Sequence, residues 1–309
     1  MIPPPFARAM AELYGAAGDE WLGRLPALLA ECERRWSLTI GPPFPKLSYN
    51  YVAPAMRADG SEVVLKAGVP NPELLTEMEA LRLYDGRGIV RLLEADRERG
   101  VMLLERLSPG MPLSSLADSE LHAAKADEQA TAIAAGVMRR LWRPLPPQHP
   151  FPTVEKWAEG LTRLRAHFGG GTGPFPTRLV EAAETLFCEL IASMAEPVLL
   201  HGDLHHDNIL SAGREPWLAL DPKGLAGEPA YEVGAFLRNP MPQILNWPQP
   251  ERLLARRVDQ LAEELNLGRV RLAGWGLAQA VLSAWWSFED HGHGWEGAIA
   301  CAGWLMTNG

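Results

Sequence analysis

Cysteine is scarce in this chain of 309 residues: Cys32, Cys188 and Cys301 are the only three. Their odd number and wide separation exclude a disulfide framework and show no metal-ligand spacing. Long apolar runs are missing too, and none reaches the length that crosses a bilayer, so no membrane partner is expected. The opening Met1-Ile2-Pro3-Pro4-Pro5 lacks the charged start and apolar core of a signal peptide, and a cytoplasmic location is expected. Positive charge is in deficit, with 29 Lys and Arg against 38 Asp and Glu, a net charge of −9 and a sequence pI near 5.5. That balance argues against nucleic acid and suits a cationic small molecule. Glycine-rich phosphate cradles are also lacking. The stretch from Gly169 to Pro174 has no Gly-Lys-Ser/Thr ending and follows no strand, and no G-x-G-x-x-G precedes the strand that ends on Lys66.

What is present is ordinary globular composition, 47% hydrophobic and 22% charged, in a chain long enough for two lobes with cores. The richest stretch is 198–221, VLLHGDLHHDNILSAGREPWLALD. Its apolar runs and Gly-containing turn predict two short strands, preceded by a polar loop and followed by Asp221. This gathers Asp203, Asn208 and Asp221 at neighbouring strand ends. An Asp in a loop can orient a hydroxyl and accept its proton. An Asn five residues on and an Asp beyond the hairpin can hold Mg²⁺ against phosphates. Phosphoryl transfer is the chemistry that fits. His201, His205 and His206 with Asp203 and Asp207 also allow a hydrolase metal site, although the Asp–Asn order and the distant Asp221 fit it less well.

Ahead of that stretch, residues 7–40 read as one amphipathic helix with Trp21, Leu25, Leu28, Leu29, Cys32 and Trp36 on a stripe. Residues 47–67 read as a hairpin turning at Ala58-Asp59-Gly60. Val63-Val64-Leu65 leaves Lys66 at the strand end, where a kinase lysine holds phosphates. Leu47-Ser48-Tyr49-Asn50 takes the place of a glycine-rich loop, and the Ser48 hydroxyl and Asn50 amide can meet phosphate oxygens. Pro72–Tyr84 predicts a helix from which Glu77 or Glu79 reaches Lys66. Strands are expected at 89–94 and 101–105. The exit at Glu105-Arg106-Leu107 would offer backbone donors and acceptors to a planar base.

Beyond Leu113 the chain turns helical. Helices are expected at 119–142, with Leu121 among their apolar positions, and at 153–168, 177–195, 249–267 and 269–289, with loops at 144–152 and 224–229. The last helix ends in Glu289-Asp290. Acids at a helix C-terminus oppose its dipole, a cost that suits a substrate-facing role.

The order of Lys66, Glu77, the exit at Glu105 to Leu107, HGDLHHDN and LALDPKGLAGEPAYE resembles the aminoglycoside/hydroxyurea phosphotransferases, over nearly the whole chain. The resemblance implies an α+β, bilobal, protein-kinase-like fold of the aminoglycoside phosphotransferase type. A small antiparallel-sheet lobe with a leading helix would span 1–107, a larger helical lobe 108–309, with ATP between them. Asp203 then resembles the catalytic Asp, and His205 stands where a γ-phosphate donor would. Asn208 and Asp221 resemble the Mg²⁺ ligands, and Lys66 and Glu77 the phosphate-holding pair. Ser48, Asn50, Glu105 and Leu107 complete the nucleotide site. Glu228, Glu289 and Asp290 are carboxylates for a cationic, hydroxylated acceptor, with streptomycin or a related aminocyclitol leading. Another hydroxylated metabolite, such as a sugar or amino alcohol, is the alternative acceptor. A catalytically silent nucleotide-binding protein is the alternative of another class.

Overall fold

The computed structural model describes residues 2–118 and 123–308. Leu121 of the expected 119–142 helix lies outside them. The chain divides into two units, Met1–Gly110 and Met111–Gly309.

The first unit opens with two helices, α1 (Pro4–Tyr14) and α2 (Ala16–Trp36), followed by strand β1 (Leu38–Ile40). The single helix expected over 7–40 is broken at Gly15, whose φ of +55° cannot continue an α-helix. Strands β2 (Tyr51–Arg57) and β3 (Glu62–Ala67) form the expected hairpin. Its turn is fastened by Asp59, whose Oδ1 accepts from the Ser61 amide at 2.9 Å. Strands β4 (Leu92–Asp96) and β5 (Val101–Glu105) complete an antiparallel sheet of order β1-β2-β3-β5-β4. One face of the sheet, with Tyr51, Ala53, Val63, Leu65 and Leu103, packs on Phe6, Met10, Trp21, Leu25 and Cys32 of the two leading helices. Each large apolar side chain fully buried there contributes roughly 1.5–3 kcal/mol. Alternation along β3 turns Lys66 to the other face, across from Val52 and Met102. Helix α3 (Pro72–Tyr84) starts where Asn71 accepts from the Leu74 amide and Pro72 takes the first turn.

The second unit is mainly helical. Strand β6 (Pro109–Pro112) and a 3-10 turn over Leu113–Asp118 lead into α4 (Ala123–Leu141), β7 (Arg143–Pro144), α5 (Val154–His167) and α6 (Thr177–Ala192). Then come β8 (Val198–Leu200), β9 (Ile209–Ala212), β10 (Trp217–Ala219) and β11 (Leu225–Gly227). Helices α7 (Val233–Leu237), α8 (Pro250–Leu265), α9 (Arg269–His291) and α10 (Glu296–Asn308) close the chain. Strand β11 occupies the expected loop at 224–229, because Leu225, Ala226 and Gly227 pair with Leu200, Leu199 and Val198. Helix α9 is the axis of the unit: Leu272 to Leu282, Ala284 and Trp285 are buried.

Candidate active site

In the first unit the sheet and α3 bring two charges together inside the fold. Lys66 and Glu77 are 4% and 6% exposed, and Lys66 Nζ donates to Glu77 Oε1 at 2.6 Å. Burial of this kind demands a partner for each charge. Glu79, the other carboxylate reachable from sequence, instead pairs with Arg82 and Arg97 at the surface. Asn50 sits against the end of β3, where a Cβ on Gly68 would fall 2.1 Å from Asn50 Oδ1. Ser48 is exposed in the preceding loop. Glu105 closes β5; its amide donates to the Arg91 carbonyl at 3.0 Å and its Oε2 accepts from the Arg91 amide at 3.1 Å. Leu107 follows, buried. A pocket lined by Gly41, Pro54, Met56, Glu62 and Arg106 lies on the sheet face that Lys66 shares, since Pro54, Met56 and Glu62 alternate in phase with it. Arg106 stacks its guanidinium 5.0 Å over the Phe44 ring.

In the second unit, the loop from His201 to His205 joins β8 to the short 3-10 turn His206–Asn208. Glu232, buried just before α7, grips its start: Oε2 accepts from the His201 amide at 2.7 Å and Oε1 from the Gly202 amide at 2.9 Å. The His201 ring continues the fastening, with Nε2 2.8 Å from the Leu220 carbonyl and Nδ1 accepting from the Asp203 amide at 3.2 Å. These contacts fix the tautomer that carries its proton on Nε2. Gly202 must be glycine. Its φ is +86°, and a Cβ there would sit 3.1 Å from Trp157 Cη2.

The result is an aspartate held at a defined place. Asp203 keeps 28% of its side chain exposed, with Oδ1 3.3 Å from Arg238 Nη2 and Oδ2 3.8 Å from His205 Nε2. The Asn208 amide nitrogen donates to the Asp203 carbonyl at 2.9 Å, which leaves the Asn208 Oδ1 turned the other way. The β9–β10 pairing continues to Leu220, whose amide donates to the Asn208 carbonyl at 3.0 Å. Asp221 follows with φ +58°, and Lys223 and Gly224 donate back to the His201 carbonyl. Asp203, Asn208 and Asp221 therefore lie on one loop-and-hairpin. His206 is buried and stacks on Phe236 with centroids 4.2 Å apart, and Asp207 accepts from the Ser114 hydroxyl.

The electrostatics follow from this packing. Burial opposes ionisation of Asp203, but His205, Arg238 and Lys223 outweigh it and hold the carboxyl below its ordinary value. Burial pulls His201 down to about 4 and keeps it neutral. Burial pushes Glu232 up to about 7, against the two amide hydrogen bonds that favour its anion.

Two oxygen-bearing side chains, Asn208 and Asp221, suit a hard cation such as Mg²⁺. Among the described residues no three His, Cys, Asp or Glu side chains gather as a metal site, which removes support for the histidine-rich hydrolase alternative. The acceptor candidates lie apart. Glu228 is 5% exposed, and its Oε1 accepts from Arg271 Nε at 2.7 Å and from the Trp275 indole. Glu289 takes a two-pronged bond from Arg163, at 2.7 and 2.9 Å, and Asp290 follows it, exposed. Arg238 and Gln279 escaped the sequence reading. The one signal was a lone amide in an apolar helix.

A five-stranded antiparallel sheet unit, a helical unit, a buried Lys–Glu pair and an Asp–Asn–Asp loop and hairpin define a protein-kinase-like phosphotransferase fold. Comparison with known proteins agrees. A thermostable mutant of aminoglycoside phosphotransferase APH(4)-Ia, in complex with ADP and hygromycin B, superposes with a TM-score of 0.60 at 14% identity, over 90% of this chain and 96% of its own. Residues 35–292 match the aminoglycoside/hydroxyurea antibiotic resistance kinases. The chain is 34% identical to a streptomycin 6-kinase of Streptomyces glaucescens, over 94% of this chain and 91% of that protein. It is 36% identical to a hydroxyurea phosphotransferase of Kitasatospora aureofaciens, over 94% and 81%. The chain belongs to the aminoglycoside/hydroxyurea antibiotic resistance kinase family, and is a phosphotransferase with a hydroxyl acceptor. Among the described residues no helix is long and apolar enough to cross a membrane.

Proposed function

We propose that this enzyme transfers the γ-phosphoryl group of ATP to a hydroxyl of streptomycin or a related cationic aminocyclitol, inactivating it in the cytoplasm. The observation that carries the reading is the Asp203 carboxylate, anionic and partly open, on a loop locked by Glu232. An acceptor hydroxyl bonded to Oδ2 has its lone pair aimed and its proton received as the phosphoryl group departs in line. His205, beside Oδ2, donates to the γ-phosphate. Lys66, steadied by Glu77, holds the α/β-phosphates. Ser48 and Asn50 border the phosphates, and the Leu107 amide with the Glu105 carbonyl faces the adenine. Mg²⁺, taken by Asn208 and Asp221, would supply neutralising charge to the phosphates. The excess of acidic residues favours a cationic acceptor. Glu289 and Asp290 are its exposed carboxylates, whereas Glu228 is held inside by Arg271 and Trp275.

A second acceptor is favoured by one observation, the 36% identity to a hydroxyurea phosphotransferase. The experiment is to incubate the protein with Mg-ATP and streptomycin, hydroxyurea, a sugar or choline, and follow ADP release and the mass gain of one phosphoryl group. Transfer to streptomycin supports the reading. Transfer to hydroxyurea alone reassigns the acceptor, and ATP binding without transfer to any of them overturns it.

A further inference from the structure

The guanidinium of Arg238 bridges the reacting carboxylate and helix α9. Its Nη2 lies 3.3 Å from Asp203 Oδ1, and its Nη1 donates to Gln279 Oε1. Gln279 is 1% exposed, a lone amide on the buried side of α9, and its Nε2 reaches the Tyr231 carbonyl at 3.5 Å. Gly234 makes that reach possible: a Cβ there would fall 2.2 Å from Gln279 Oε1. The segment carrying Arg238 is clamped from behind. Arg257, fully buried and paired with Asp127, donates through Nη1 to the carbonyls of Phe236, Leu237 and Asn239, on both sides of Arg238.

A planar guanidinium suits this task, because its rigid fork donates in two directions at a fixed angle, which a lysine cannot do. With Oδ1 taken, the carboxylate of Asp203 cannot turn freely, and Oδ2 becomes the acceptor-facing oxygen. We propose that Arg238, anchored by Gln279, is the positioning residue of the reaction: it fixes the rotamer of Asp203 and decides which carboxylate oxygen meets the acceptor hydroxyl. The proposal rests on the reading of Asp203 as the catalytic aspartate. Arg238 acts through that aspartate and leaves both substrates' binding to other groups.

The split between kcat and KM tests it. With Mg-ATP and streptomycin, Arg238→Ala lowers kcat about 100-fold, the scale of a small misplacement of a reacting group, while KM for both substrates stays near wild type. Arg238→Lys recovers part of the loss, and dilute guanidinium chloride recovers part of it in Arg238→Ala but none in Asp203→Ala. Gln279→Leu, which keeps the arginine and removes its anchor, gives a smaller fall in kcat, so the proposal does not depend on one variant folding. Unchanged kcat in Arg238→Ala overturns the proposal and leaves the function standing. A loss that neither lysine nor guanidinium repairs, with both KM values raised, also overturns it, as a structural role would. A wild-type protein that phosphorylates no acceptor overturns the functional reading and this proposal with it.

Discussion

Lys66 Nζ and Glu77 Oε1 stand 2.6 Å apart, with 5% and 8% of their side chains exposed. A pair so deep gains little net stability over apolar groups of the same size, but breaking a buried pair by removing one member costs about 3–5 kcal/mol. Glu77→Leu is therefore expected to lower the melting temperature sharply. The double variant Lys66→Met with Glu77→Leu should recover most of that stability while phosphoryl transfer stays lost. Calorimetry alongside turnover checks both. A double variant as unstable as the single one would show that the pair is structural glue rather than a retained functional charge.

Asp203→Asn keeps the size and the contact with Arg238 but cannot receive a proton. Phosphorylation of the acceptor should fall on the order of 10³-fold, with the dissociation constant for Mg-ATP little changed. Isothermal titration separates the two effects. Equal losses in nucleotide affinity and rate would move Asp203 from proton acceptor to phosphate-site scaffold.

The pH dependence of stability carries two opposed contributions from the same loop. His201 falls from 6.5 to about 4 on folding, so its contribution is present above pH 6.5 and is lost as pH falls toward 4. Glu232 rises from 4.5 to about 7, so its contribution is present below pH 4.5 and is lost as pH rises toward 7. Each amounts to roughly 3 kcal/mol at 1.36 kcal/mol per pH unit, and they offset each other between pH 4.5 and 6.5. Glu232→Gln removes one of them. Its melting temperature should therefore climb more steeply with pH across that window than the wild type's. Parallel curves for the two proteins would contradict the assignment.

Short-range pattern made most of this legible. The β2–β3 hairpin follows from Asp-Gly between apolar runs, and the places of Lys66, Asp203, Asn208 and Asp221 beside short strands follow from the apolar runs that flank them. Long-range pairing did not show. Strand β11 is only three residues, Leu225–Gly227, and exists because β8 lies beside it. Helix α10, with Cys301, Ala302 and Leu305 buried, has a diffuse apolar pattern with no clear face, so periodicity gave no cue. Arg238 is silent in sequence for the same reason: its meaning comes from Asp203, thirty-five residues earlier, and from Gln279 on another helix.

Glu228 and Glu289 looked alike in sequence, as carboxylates for a cationic acceptor, and the structure separates them. Glu228 is buried and accepts from both Arg271 and the Trp275 indole. Glu228→Ala leaves the buried Trp275 indole N–H without its acceptor, while Arg271 keeps its bonds to Ser193 Oγ and the Leu190 carbonyl, at roughly 1–3 kcal/mol. A lower melting temperature with an unchanged acceptor KM is expected for the fraction that stays folded. Glu289 pairs with Arg163 where both are substantially exposed, 32% and 49%, so Glu289→Ala should change stability by no more than about 1 kcal/mol. If Glu289 faces the acceptor, the same variant raises KM for streptomycin while KM for ATP holds. Melting curves and initial rates on both variants decide the matter. A raised acceptor KM in Glu228→Ala at unaltered stability would reverse the two roles, and would mean that this carboxylate leaves Arg271 and Trp275 when the acceptor binds.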